Sequence, residues 1–156
     1  MSCAGVVTVS GRPNDNEFVL GPIFPDSKSA HQDLPEPARK YLQQAYDTLH
    51  APDAAAVMAG SAVDAMLKAK GYSTGSLYEG IDSALAANLL TKGMADWAHE
   101  VRLGSNRPRH ADEKNPHVSS AEAAQSVEFA EALGNFLFVL TARIDRGLKA
   151  AAEQGT

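Results

Sequence analysis

From Leu34 onward, apolar residues return every three or four positions, and the runs are cut at Pro52, Gly71 and Asn88. This periodicity restricts the fold more than any other feature, because it gathers apolar side chains on one face of successive α-helices, whereas a strand requires alternation. The first run, with Ala38, Tyr41, Leu42, Ala45 and Leu49, follows Asp33-Leu34-Pro35-Glu36. There Asp33 is predicted to cap the helix, Pro35 is tolerated because early N–H groups lack helical acceptors, and Glu36 completes a capping-box spacing. Ala51-Pro52 closes that helix and opens a second, Asp53 to Lys70, whose buried stripe is Ala55, Met58, Ala59, Ala62, Val63 and Met66. Gly71 supplies its stop.

Ser76 with Glu79 repeats the capping-box spacing and starts a short helix through Leu77, Ile81, Ala84 and Leu85 to about Ala87, with Asn88 as its exit. A fourth helix, Leu90 to Leu103, carries Met94, Trp97, Ala98 and Val101, and places Trp97 in the core. Gly104 to Val118 reads as a polar loop. Ser119 with Glu122 opens a fifth helix reaching Ala151, roughly 45 Å long at 1.5 Å per residue. It has two apolar stripes, one through Val127, Ala130, Gly134, Leu137, Thr141, Ile144 and Leu148, the other through Phe129, Leu133, Phe136 and Leu140. Such a wide apolar arc predicts a central helix, covered by its neighbours or in part by a second subunit.

The expected fold class is therefore all-α, an antiparallel bundle of about five helices spanning residues 34–151, with a tail at 152–156. Residues 1–33 read differently. Val6, Val7 and Val9 are β-branched, Glu17 to Leu20 forms a second extended run, and Gly11 to Asn16 between them is turn chemistry, so a short irregular or β-hairpin segment precedes a Pro-containing connector. The Ala-rich composition, with only 6% aromatic residues, agrees with closely spaced helices.

Charge and cysteine content exclude several classes. Lys plus Arg number 14 against 19 Asp plus Glu, a net charge of −5, which removes any global electrostatic case for nucleic-acid binding. Cys3 is the only cysteine and cannot form an internal disulfide. No run approaches the ~18 apolar residues of a membrane span, and Met1 to Gly11 lacks a secretory signal, so a cytoplasmic location and no membrane partner are expected.

One segment departs from the acidic background. His99 to His110 holds three arginines, Arg102, Arg107 and Arg109, against the single Glu100. Guanidinium forks match phosphate oxygens in geometry and charge, Asn106 adds a polar side chain, and His110 adds a group that exchanges protons near neutral pH. His99, His110 and His117 with Asp112 and Glu113 match no compact ligand spacing, so neither a metal nor a cofactor is expected. Tyr41, Tyr46, Tyr72 and Tyr78 form no base-stacking pattern, so single-strand readout by aromatic platforms is not expected, and neither Gly-x-Ser-x-Gly nor a phosphate-cradling glycine loop occurs.

Leu34-Pro35 opening a helix, an Ala-rich second helix ending in Lys70-Gly71, and Arg102 followed by Asn106 and His110 together resemble the bacterial domain of unknown function 4145 family. The likeness covers roughly Leu34 to Ile144. That family is similar to the HEPN superfamily, helical domains that often dimerise and occur in RNA-cleaving toxins, phage-defence systems and restriction enzymes. The resemblance implies a HEPN-like bundle, a homodimer, and Arg102 and His110 in the positions of an Arg and His pair that acts on RNA without a metal. In that role His110 assists proton transfer at a ribose 2′-hydroxyl, and Arg102 stabilises charge on the phosphoryl oxygens. Arg102 and His110 stand further apart than the nuclease pair usually does, and Pro108 and Arg109 replace small residues near the histidine. The first expectation is accordingly a noncatalytic interaction and dimerisation module that binds protein or nucleic acid through the Arg102 to His110 face, with Asn106, Arg107 and Arg109 as phosphate-binding residues. The alternative is a metal-independent endoribonuclease using Arg102 and His110.

Overall fold

A computed structural model of the chain describes residues 8–14, 17–24, 28–110 and 113–154, with side chains described from residue 28 onward. Cys3, Val6, Val7, Asp15, Asn16, Pro25 and Asp112, on which some of the expectations above rest, lie outside these residues. Strands β1 (Thr8–Asn14) and β2 (Glu17–Phe24) pair antiparallel, Val9 facing Ile23 and Gly11 facing Leu20. The other elements among the described residues are helical: α1 (Glu36–Asp47), α2 (Pro52–Ala69), α3 (Leu77–Ala86), α4 (Lys92–His110), then α5 (Ser120–Gly134), a π-helical turn (Asn135–Val139) and α6 (Leu140–Gln154). α5, the π turn and α6 follow one another without a break, so the molecule is a helical bundle of five rods.

Both internal capping boxes form. Ser76 Oγ accepts from the Glu79 N–H while the Glu79 carboxylate accepts from the Ser76 N–H, and Ser119 with Glu122 does the same at the start of α5. Asn88 and Gly71 take positive φ, 57° and 99°, where the helices before them stop. The predicted cap at α1 is not made. Pro35 occupies the N-cap with no side-chain bond, and the Asp33 carboxylate instead grips both terminal nitrogens of Arg146 at 3.1 and 2.8 Å. A bidentate charge-assisted pair outcompetes a single bond to a backbone N–H.

The predicted loop from Gly104 is also corrected. α4 continues through Gly104, Asn106 and Pro108 to His110, beginning after Thr91, whose Oγ1 accepts from the Met94 N–H. Tertiary packing overrides the local propensities here. Gly104 and Ser105 are buried, and a Cβ placed on Gly60 of α2 would stand 2.6 Å from Ser105 Oγ and 2.7 Å from its Cβ. α2 and α4 therefore meet nearly backbone to backbone. The buried Ser105 hydroxyl is satisfied within its own helix, donating to the Arg102 carbonyl at 2.9 Å.

The centre of the bundle is α2 rather than the fifth rod. It packs on α1, α4 and α5, and its Ala55, Ala56, Ala59 and Ala62 let three neighbours approach closely. Val63, Met66 and Leu67 fill the remaining space beside Leu42, Ile81, Phe129 and Leu133, all essentially without solvent contact. Burial of each such large side chain contributes roughly 1.5–3 kcal/mol. The fifth rod is buried only over α5 and the π turn; no residue of α6 is buried. Phe136, Leu140, Ile144 and Leu148, assigned to its apolar stripes, are 45–66% exposed. Trp97 is likewise not core: it is 41% exposed, one side of its ring resting on Phe129 with centroids 5.0 Å apart.

Candidate functional site: a cationic cleft between α2, α3 and α4

The close contact of Gly60 with Ser105 fixes the rotation of α4 about its axis. Arg102, Asn106 and Arg109 lie four and three residues apart, which puts them on one face of a helix across roughly 10 Å. That face opens on a cleft of about 350 Å³ whose other walls are Gly60, Ser61, Asp64 and Lys68 of α2 and the segment Gly75 to Tyr78 at the start of α3.

Among the described residues three cations and one acid line it. Lys68 Nζ is 2.6 Å from Asp64 Oδ2, so that pair neutralises itself and leaves two guanidiniums to set the sign of the cleft. Arg109 is held by neutral oxygens, donating to Ser61 Oγ at 2.8 Å and to the Val57 carbonyl at 3.5 Å. Arg102 has its guanidinium carbon 5.2 Å from the centre of the Tyr78 ring, and its Nε is buried with no hydrogen-bond partner. A stacked arginine keeps its full charge and its outer N–H groups for another acceptor.

The Tyr78 ring also meets His99, centroid to centroid 4.9 Å, and His99 Nε2 lies 3.1 Å from Asp82 Oδ1. One turn of α4 thus supports the ring from two side chains. α3 brings Tyr78 there rigidly, because its first turn is locked by the Ser76 and Glu79 capping box. The Ser76 hydrogen bonds pull the Glu79 carboxyl below its ordinary range.

The other arginine of the segment points elsewhere. Arg107 is turned away from Arg102 by the helical pitch and donates to Glu122 Oε1 at 2.6 Å, across a second hollow of about 300 Å³ lined by Trp97, Leu103, Gly104 and Gln125. Glu122 also accepts from the Ser119 hydroxyl and N–H, and these bonds together with Arg107 pull its carboxyl down to about 2. His110 is exposed in the last turn of α4 and does not line the cleft. Seven residues of helix stand between it and Arg102, and the eight-position step is an axial rise of roughly 12 Å.

The structure therefore gathers Arg102, Asn106 and Arg109, and sends Arg107 and His110 to other surfaces. Ser61, Lys68 and Tyr78 complete the cleft although they stand far from the basic segment in sequence. Ser61, Asp64 and Lys68 are legible as a polar row opposite the buried stripe of α2, but nothing local pairs that row with α4. The other histidines are dispersed: His117 Nδ1 is 2.7 Å from Asp53 Oδ2, and Asp53 also accepts from the Val118 N–H, so its carboxyl is lowered. Among the described residues no group of three or more His, Cys, Asp or Glu side chains is placed to hold a metal ion. Among the same residues no helix is long and apolar enough to cross a membrane.

Residues 43–150 match the family described as Domain of unknown function (DUF4145), and the chain belongs to that family. No curated protein and no solved structure matches it.

Proposed function

We propose that this member of the DUF4145 family is a noncatalytic interaction module, of the kind found in HEPN-like proteins of bacterial defence and restriction systems, whose cleft binds nucleic-acid phosphate. The observation that carries the reading is the pair Arg102 and Arg109 on one face of α4, with the one acid that lines the cleft among the described residues already committed to Lys68. In a chain of net charge −5, such a cleft concentrates attraction at one place instead of spreading it over the surface. Asn106 between the arginines supplies a neutral donor and acceptor.

The test is binding of a labelled oligonucleotide by fluorescence anisotropy at several salt concentrations. Arg102→Ala and Arg109→Ala are each expected to weaken binding about tenfold and to reduce the salt slope by roughly one. Affinity unchanged in both variants removes the proposal. The catalytic alternative is less well supported, since His110 lies outside the cleft that holds Arg102. It becomes the better reading if RNA is cleaved in the presence of a chelator and His110→Ala abolishes that cleavage while remaining folded.

The same reading has two copies associate through α6. This last stretch of the fifth rod carries Leu140, Ile144 and Leu148 in an exposed row, and a contiguous apolar row left in water marks a surface for association. Among the described residues its own chain gives little cover. Residues before α1 run toward α1 and α5, Lys28 pairing with Glu131 and the Ala30 N–H donating to Gln43, with Asp33 touching α6 only through Arg146. Charges of both signs border the row, Arg143 and Lys149 with Asp145, so a second copy of the same helix offers opposite charges to meet them. Light scattering on the eluting protein is expected to give the mass of two chains, and Ile144→Asp the mass of one with helix content retained. A monomeric wild-type protein rules this association out.

A further inference from the structure

We propose that the cleft recognises single-stranded nucleic acid, seating one base against the Tyr78 ring while the adjoining phosphate meets Arg102 and Arg109. The inference rests on the phosphate-binding reading above and names its ligand more narrowly. Its basis is a juxtaposition that cations alone do not explain. Tyr78 lines the same cleft as the two arginines, is 49% exposed, and stands in the first turn of a helix whose start is locked by two reciprocal capping bonds.

A site for inorganic anions, acidic peptides or sulfated sugars needs positive charge and hydrogen-bond donors. For an inorganic anion or an acidic peptide the ring can do no more than hold Arg102 in place, and its exposed surface goes unused. A nucleotide uses both, because its base has a flat π face and its phosphate lies within one sugar of it. Stacking of a base on an aromatic side chain adds affinity and tolerates any base. In a duplex the bases are stacked on each other and offer the ring no face, so the geometry selects single strands. The cleft volume, about 350 Å³, agrees with this, being near the lower end of the ~300–1,000 Å³ typical of small-molecule sites and too small for a double helix. The contacts of Tyr78 with His99 and Arg102 reduce the freedom the ring loses on binding.

The test compares a labelled single-stranded oligonucleotide, in RNA and DNA forms, with the duplex of the same sequence and with inorganic polyphosphate, on wild type, Tyr78→Phe and Tyr78→Leu. The single strand, in either sugar form, is expected to bind at least tenfold more tightly than the duplex. Tyr78→Phe, which keeps the ring, is expected to stay within about twofold of wild type, and Tyr78→Leu to lose about tenfold for the single strand with polyphosphate binding unchanged. Duplex affinity equal to that of the single strand overturns the inference, as does a Tyr78→Leu variant that binds the single strand normally. So does an equal loss of polyphosphate binding in Tyr78→Leu, which means that Tyr78 only positions Arg102. In these three cases the phosphate-binding cleft survives. If neither the single strand nor polyphosphate binds the wild-type protein, the cleft reading fails and this inference fails with it.

Discussion

The two sides of the last turns of α4 carry the same residue type in opposite electrostatic conditions. On one side Arg102 and Arg109 face a cleft whose only acid among the described residues is spent on Lys68; on the other Arg107 is closed against Glu122 at 2.6 Å. A count of charges along His99 to His110 treats the three arginines as one basic patch. Helical phase divides them, and the phase is set by Gly60 against Ser105 rather than by any of the charges. A basic segment thus becomes a site only after packing has decided which of its members point the same way.

The largest expected effect is on that packing contact. Gly60→Val forces a branched side chain into Ser105 Oγ and Cβ at less than 3 Å, against a helix that has no flexible tip to withdraw. Overpacking of this kind costs about 2 kcal/mol, read as a lower denaturant midpoint, and tilts α4 so that both of its faces lose their geometry. Gly134→Ala is the control. Its added methyl meets the ends of Leu34 and Met66, which can rotate aside, and the helix propensity gained offsets much of the clash. Equal losses in the two variants would show that the α2 and α4 contact is not special.

How far these features can be read from the sequence differs between the two faces for the same reason. α2, α3 and the start of α5 are legible because their signals are local: an N-terminal Pro52, two capping boxes, and stops at Gly71 and Asn88. Gly104, Asn106 and Pro108 are breakers by local rules, and only burial of Gly104 and Ser105 against neighbouring helices keeps α4 intact through them. Asp33 likewise satisfies the capping pattern but is taken by Arg146, 113 residues away. In the cleft, Arg102, Asn106 and Arg109 are nameable as members of the basic segment, but their common face is not, because the segment reads as a loop from Gly104. Tyr78, Ser61 and Lys68 come from other helices, and a single chain of letters does not say which polar faces will meet. The apolar row on α6 shows the same limit from the other side, since periodicity marks an apolar face without saying whether its own chain covers it.

The closed face has its own signature. Glu122→Ala removes the return half of the capping box together with the partner of Arg107, and is expected to cost about 1 kcal/mol, mostly from the cap. Glu122→Gln keeps a capping side chain but not the charge, and separates the two contributions through pH. The Glu122 carboxyl sits at about 2 in the folded protein and near the usual ~4.3 when unfolded, so its contribution is complete above about pH 5 and is lost as pH falls toward 2. Thermal midpoints measured across that window are expected to fall less steeply in Glu122→Gln than in wild type. The difference is modest, because the carboxylate is half exposed and screened by solvent. Parallel curves would mean that the acid sensitivity comes from the other lowered carboxylates, Asp53 and Glu79 among them.

The smallest effect is the one that most directly separates the faces. Arg107→Ala deletes one member of a surface ion pair whose side chains are 26% and 46% exposed, and pairs of that kind contribute between 0 and about 1 kcal/mol. Its stability is expected to change by no more than about 0.5 kcal/mol. Its affinity for an oligonucleotide should equal that of wild type, because its charge is already answered by Glu122 and it faces away from the cleft. Set beside Arg102→Ala, the same chemical change on the same helix then gives about a tenfold loss on one face and none on the other. An equal loss from both would mean that nucleic acid contacts the end of α4 from all round, and that the cleft carries no recognition of its own.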